Sequence, residues 1–280
     1  MHALQKDRVM RICIGIVIFY SLIALFAAVG WIATPWDAPV GKGFDPPSLD
    51  KFSMWFGTDI FGRSVLYKMI HGARLALSVG LVSTLMSIPI GVALGAAAGY
   101  FGGLVDEFVT WFYTTISSIP NILLLIAITY SLGRGLTAVY VALGATSWVG
   151  LARVVRGEFL KHREREYVLA AAAIGAGHSR RIFRHILPNI SHLILVQFSI
   201  SFVSAIKSEV ILSFLGLGVQ GQPSWGVMID EAKQELSRLP VVWWQLVGAS
   251  LAMTGIILAF NLLGDSLRDA IDPKAAGSAR

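Results

Sequence analysis

Six stretches of this chain run for about 18 residues or more with almost no charge, near 12–34, 75–100, 108–131, 135–155, 188–208 and 241–264. Crossing roughly 30 Å of hydrocarbon takes about 20 apolar helical residues. The pattern therefore predicts an all-α integral membrane protein of six transmembrane helices. A seventh charge-free run, 210–229, is broken by Gly216, Gly218, Gln220, Gly221, Gln222 and Pro223 and reads as a re-entrant or surface element. Residues 35–68 are polar and turn-rich, with Pro39, Pro46 and Pro47. The expected organisation is an N-terminal tail, first span and external loop in 1–70, a five-helix core in 71–272 that includes a basic loop at 158–189, and a tail at 273–280.

Inside the spans, Pro89 and Pro120 each remove a backbone hydrogen bond and tend to kink the helix, which either shapes a cavity or serves packing. Gly91, Gly95 and Gly99 recur every four positions and permit close helix contact, within the bundle or against a second membrane subunit.

Composition points the same way: 55% hydrophobic and only 14% charged residues exclude an ordinary soluble domain. The basic balance, pI about 9.6, does not point to nucleic acid, because the cations sit in loops flanking the spans. With the N-terminus inside, Lys6, Arg8, Arg11, the cluster from Arg153 to Arg184, Arg268, Lys274 and Arg280 face the cytoplasm. They outnumber Lys42, Lys51, Arg63, Lys68, Arg74, Arg134, Lys233 and Arg238 on the outer side. Both termini and the 158–189 loop are thereby expected in the cytoplasm. Asp106 and Glu107 are the discordant pair, standing in a cytoplasmic loop without a cation. Cys13 is alone, so no disulfide forms within the chain, and the first apolar run reads as a retained anchor.

The loop EFLKHREREYVLAAAAIGAGHSRRIFRHILPN reads as helix, turn, helix. Residues 158–173 are strong helix formers predicting one ordered helix, Gly175 and Gly177 supply the turn, and His178 and Ser179 open a second helix that Pro188 interrupts. Ala170, Ala171, Ala172 and Ala173 give the first helix a flat flank that another protein can approach closely. A solvated helix resting on anionic lipid headgroups is the plainer reading, but it needs neither the alanines nor the glycine spacing.

The run EYVLAAAAIGAG, with Gly175 thirteen residues before Pro188, resembles the cytoplasmic coupling loop of permease subunits in binding-protein-dependent ABC importers. Leu169 stands where that motif has a glutamate, and His185 where the wider pattern often has an aliphatic residue. FGTDIFGRSVLYKMIHGAR, SFLGLGVQGQPSWG and GDSLRDAIDP are similar to the dipeptide, oligopeptide and nickel branch of that family. The resemblance implies a type I ABC importer permease fold in a bacterial inner membrane, importing peptides or nickel complexes. It implies four kinds of partner: a second homologous permease, two ATPase subunits that hold ATP and Mg, a periplasmic or lipid-anchored substrate-binding protein, and membrane lipid. The residues carried over to the ATPase-coupling loop are Glu166, Tyr167, Ala170, Ala171, Gly175, Ala176, Arg181, His185, Leu187 and Pro188.

No GxxxxGK[ST] loop is present, so this chain carries no nucleotide site of that kind and no cofactor is expected on it. The histidines never gather at metal-ligand spacing, no carboxylates pair with a nucleophile, and no catalysis is expected here. Lys207 and Glu209 sit at the outer end of the fifth span. Ionisable groups at such depth are costly, so both are candidate pathway or gate residues, or else they tie down an external loop. Two residues apart on a helix, they point about 200° away from each other. Asp59 and Arg63 form a local ion pair if GTDIFGR is helical. A secondary transporter or channel driven by an ion gradient is the rival reading, with Lys207 and Glu209 as its coupling groups.

Overall fold

A computed structural model describes residues 2–271, with side chains from 8 to 266. In chain order its helices are α1 (His2–Val29), α2 (Val65–Phe101), α3 (Gly103–Ser117), α4 (Asn121–Ser131), α5 (Leu136–Thr146) and α6 (Trp148–His162). There follow α7 (Glu166–Ala173), α8 (His178–Arg180), α9 (Leu187–Phe214), α10 (Trp225–Glu235) and α11 (Trp244–Ile271). Five helical stretches are long and apolar enough to cross a membrane, and α3 with α4 makes a sixth if that bent pair is one span. All six apolar runs of the sequence are thus helical. Residues 210–229 form the end of α9, an irregular turn and the start of α10, as the glycines require.

Several boundaries differ from the pattern-based reading. The second span begins ten residues early, because Ser64 caps α2 by accepting a hydrogen bond from the Tyr67 N–H, and Lys68 and Arg74 are carried inside the helix. The boundary expected at residue 70 therefore falls within one continuous helix. The third span is not one kinked rod, since α3 and α4 meet at 85° across Pro120. Proline has no N–H to continue the ladder, and it disfavours helical backbone in the residue before it. Pro89, by contrast, is absorbed within α2. The 273–280 tail lies outside the described residues.

The α2 helix is the spine, and α6 runs beside it in the same direction. Gly91 faces Trp148 and Leu151, Gly95 faces Ala152 and Val155, and Gly99 faces Arg156 and Phe159. A Cβ at Gly95 would stand 2.5 Å from the Ala152 carbonyl oxygen, so the contact is backbone on backbone. The glycine repeat is therefore used inside the bundle. On the other flank of α2, Phe202 and Ile206 of α9, Trp225 and Met228 of α10, and Ala249, Ala252 and Ile256 of α11 form the largest buried cluster. The α1 helix packs at the rim, where the Tyr20 hydroxyl donates to the Ala252 carbonyl at 2.8 Å.

The 35–64 segment folds over one end of this bundle, and the 158–189 loop closes the opposite end of α2. The last turn of α1 lies at the first end, where the Ala33 carbonyl meets the His71 ring at 3.1 Å, and α11 starts there with Trp244 donating to the Thr58 carbonyl.

Gly95→Leu is expected to wedge α6 off α2 and cost about 1–3 kcal/mol. Gly157→Leu, where no atom outside the helix's own backbone lies within 4 Å, is expected to leave stability unchanged. Thermal unfolding of the two detergent-solubilised variants separates them.

Candidate functional site

The basic loop is built from two helices rather than one. The α6 helix stops at His162, the Arg165 backbone is extended (φ −75°, ψ 144°), and α7 starts at Glu166. The stiff 158–173 rod read from propensity is therefore jointed at 163–165. Burial wins over propensity here, because the joint turns Val168 inward onto the buried cluster of Phe159, Ile186 and Ile190 and buries Ala171 as well. Glu166 places a carboxylate in the first turn of α7, where the helix dipole favours it.

The far end of α7 closes as the glycine spacing demands. Gly175 adopts φ +86°, its N–H reaches the Ala172 carbonyl, and the Ala176 N–H reaches the Ala171 carbonyl, both at 2.9 Å. These are the paired bonds of a left-handed helix cap. After Gly177 the chain re-enters a helix, and Arg181–Ile186 forms a π-helical turn. The Leu187 N–H there bonds five residues back to the Ile182 carbonyl, and α9 follows without interruption. Pro188 therefore does not stop the second helix: it sits in the first turn of α9, where a missing N–H costs least.

The inner face of α7 is Val168 and Ala171, the latter only 5% exposed. Its outer face is Glu166, Leu169, Ala170, Ala173 and Ile174, with Tyr167 at the edge and Phe183 exposed nearby. The flat flank is thus Ala170 and Ala173, not the whole alanine run. Leu169 is 56% and Ile174 87% exposed, so apolar side chains frame that flank. Arg181 is half-buried, its guanidinium 5.7 Å from the Tyr100 ring centre. His185 and Leu187 are half-buried, and the His185 carbonyl accepts from the Asn189 amide.

Three polar ties fasten this loop to the end of α2 and α3. Both oxygens of Asp106 take the Arg156 guanidinium, Nη2 to Oδ2 at 2.7 Å. Arg163 reaches the Gly99 carbonyl at 3.4 Å, and the Tyr100 hydroxyl meets His178 Nδ1 at 3.0 Å. The carboxylate without a cation in its own loop finds one fifty residues on, at the loop end of α6.

The candidate pathway pair separates as the helix geometry requires. Lys207 is exposed, while Glu209 is fully buried, its Oε1 accepting from Ser213 Oγ at 2.6 Å and its Oε2 without a hydrogen bond. Both lie within the apolar helical stretch His178–Phe214 rather than beyond its end.

A polar cluster at the opposite end goes beyond the sequence-based expectation. Lys68, 1% exposed, donates to Asp59 at 3.1 Å, Glu231 at 2.5 Å and Gln245 at 3.2 Å, and Gln245 donates to Glu231 at 2.9 Å. Asp59 also takes Arg63 Nε at 2.7 Å and the Phe61 and Arg63 N–H groups at 2.9 Å. The Asp59–Arg63 ion pair exists, but in a tight turn rather than a helix. Burial pushes the Asp59 carboxyl up, yet Lys68 and Arg63 together hold it below its ordinary value. Glu235, 4% exposed, is pushed up to about 7 by burial, opposed by Lys68 and reinforced by Glu231 and Asp59. The one signal of this cluster in the sequence is a lysine one turn past an N-capping serine, inside a helical pattern.

Comparison with known proteins gives a consistent answer. Residues 91–277 match the family model described as binding-protein-dependent transport system inner membrane component. The dipeptide transport system permease protein DppC of Bacillus subtilis is 41% identical over 82% of this chain and 70% of its own length. The oligopeptide transport system permease protein OppC of the same organism is 33% identical over 96% and 87%. In fold, the chain is similar to an inward-facing MetNI methionine ABC transporter chain, with TM-score 0.57, 19% identity, and coverage of 72% of this chain and 97% of that one.

Lys68→Met leaves buried Asp59 with Arg63 as its remaining cation and strips the half-buried Glu231 of its ion pair; it is expected to cost about 3 kcal/mol, read as a lowered melting temperature. Adding Asp59→Asn is expected to recover part of the loss. Glu235 holds its proton to about 7 when folded, against an ordinary 4.5, so the folded chain binds more protons between those values. Its stability contribution is complete below pH 4.5 and falls as pH rises to about 7. Glu235→Gln is expected to flatten the melting-temperature profile across that window.

Proposed function

This chain belongs to the family of binding-protein-dependent transport system inner membrane components, and on that premise we propose that it is the permease subunit of an ATP-driven peptide importer. It forms the translocation pathway with a second, homologous permease. Two ATPase subunits, which hold ATP and Mg, seat on the 158–189 loop in the cytoplasm, and a substrate-binding protein delivers cargo at the opposite face. The relatives named for dipeptide and oligopeptide transport support peptides over nickel complexes.

The observation that carries this reading is the make-up of α7. Apart from Glu166, its outer face is apolar with a flat flank at Ala170 and Ala173, while its inner face is buried, Val168 packing into the cluster of Phe159, Ile186 and Ile190. A solvated loop has no use for Ile174 and Leu169 on its outside, and burying them against a partner gains about 1.5–3 kcal/mol each. A push on α7 passes through packed side chains to Phe159 of α6 and, along the glycine seam, to α2. That is a route for rigid-body rocking of the bundle and hence for alternating access. The apolar surround of α7 also favours this reading over the gradient-driven rival, which needs only charge there.

Ile174→Asp and Ala173→Trp are expected to reduce co-purification of the ATPase subunits about tenfold or more while insertion is retained. Normal stoichiometry in both variants would refute the docking assignment. Gly175→Val is expected to strain the left-handed cap and uncouple peptide uptake from ATP hydrolysis in reconstituted vesicles, an unchanged uptake rate being the contrary result.

A further inference from the structure

The corner between α3 and α4 lies well inside the hydrocarbon. Trp148 and Leu151 at the start of α6 face Gly91, which stands about 25 Å along α2 from Arg74 and about 15 Å from Phe101. The corner is at that level: Ser117, Pro120 and Asn121 share with Thr146 and Val149 the walls of a cavity of about 250 Å³, and Phe112 stacks on Trp148. Among the described residues the carbonyls of Ser117, Ser118 and Ile119 accept no hydrogen bond there, and the Asn121 and Ile122 N–H groups donate none. Irregular backbone at membrane depth is tolerated only where protein buries it or a water-filled cavity solvates it. Nothing in this chain buries it, since Ser117, Ser118, Ile119, Pro120 and Asn121 are all exposed.

The side chains agree with the backbone. Thr115 and Ser118 donate to the Trp111 and Thr115 carbonyls at 2.9 and 2.7 Å, and hydroxyls bonded back onto their own helix are compatible with lipid. The freed backbone groups, the Asn121 amide and a guanidinium are not. Arg153, exposed on α6, donates to Ser117 Oγ at 2.8 Å and lies 5.0 Å from the Tyr113 ring centre, so a charge is drawn to the same corner. A second permease packed flat against this surface would have to match each of these groups with a partner of its own. Water satisfies them all without one.

We propose that the α3–α4 corner lines the aqueous pathway of the importer, its freed N–H and C=O groups, the Asn121 amide and Arg153 being hydrated and hydrogen-bonding the main chain of a peptide in transit. The assignment rests on the peptide-import reading and adds to it which face of this chain looks into the pathway. Backbone N–H and C=O groups pair with the amides that every peptide carries, so this lining passes cargo without reading its side chains. Pro120, which breaks the third span, is on this account the residue that shapes the pathway wall.

The test uses the complex of this chain with its second permease and ATPase subunits in nanodiscs, both faces open to solvent, in a Cys13→Ser background. Ser118→Cys and Asn121→Cys at the corner are compared with Leu85→Cys, an exposed apolar position on α2 within two turns of Gly91. The probe is a cationic, membrane-impermeant methanethiosulfonate, and labelling of this chain is read by mass spectrometry in the nucleotide-free and the vanadate-trapped complex. A thiol must be hydrated to form the reactive thiolate, so both corner variants are expected to react about tenfold or more faster than Leu85→Cys in at least one of the two states. Corner labelling as slow as that of Leu85→Cys in both states, as when the corner is sealed by the second permease or lies in lipid, overturns the proposal. ATP-driven dialanine uptake by Cys13→Ser proteoliposomes supplied with the binding protein is measured alongside. Uptake with an unreactive corner overturns the pathway assignment alone, and no uptake overturns the import reading beneath it.

Discussion

The contact on which the rest of the molecule depends is the bare-backbone seam between α2 and α6. Three glycines on one face of α2 let the carbonyls of α6 approach to distances that no side chain tolerates. In hydrocarbon, helices gain nothing from hiding apolar surface, so close van der Waals packing of this kind must do the associating. The α6 helix leads directly into the basic loop, and α2 carries both Lys68 near one end and Tyr100 near the other. The seam fixes α6 to the loop end of α2, and α2 itself runs on to Lys68 at the other end.

Those two regions are built on opposite principles. At the 35–64 end, a buried lysine collects two carboxylates and an amide from three separate segments, and the cluster holds the loop, α10 and α11 on α2. Losing Lys68 would cost both carboxylates their shared cation, so the cluster favours a single arrangement. At the other end the ties are fewer and lie nearer the surface, and the apolar face of α7 is left open. One end is tied by buried charge, and the other leaves an apolar face exposed.

How much of this is legible in the sequence follows from where the deciding partner lies. The spans are readable because hydrocarbon thickness acts on each segment alone. Gly175 is readable because a helix cap is local, and its left-handed backbone is found as the spacing implies. The glycine repeat is readable as a contact face, but not its partner, which lies more than fifty residues on. Lys68 reads as a loop residue, wrongly, because its partners Glu231 and Gln245 are 163 and 177 residues away. The joint at 163–165 is hidden for a related reason. Every residue there favours a helix, and only the burial of Val168 against Phe159 and Ile186 decides otherwise.

The π-helical turn at Arg181–Ile186 has a further implication. It holds one residue more than a regular turn would, so the loop below and α9 above are offset by about 100° of rotation at almost unchanged height. A single deletion or insertion there would swivel the outer face of α7 about the helix axis while leaving α9 in register. Lineages could thereby re-aim the exposed apolar patch of α7 without redesigning the interior of the bundle.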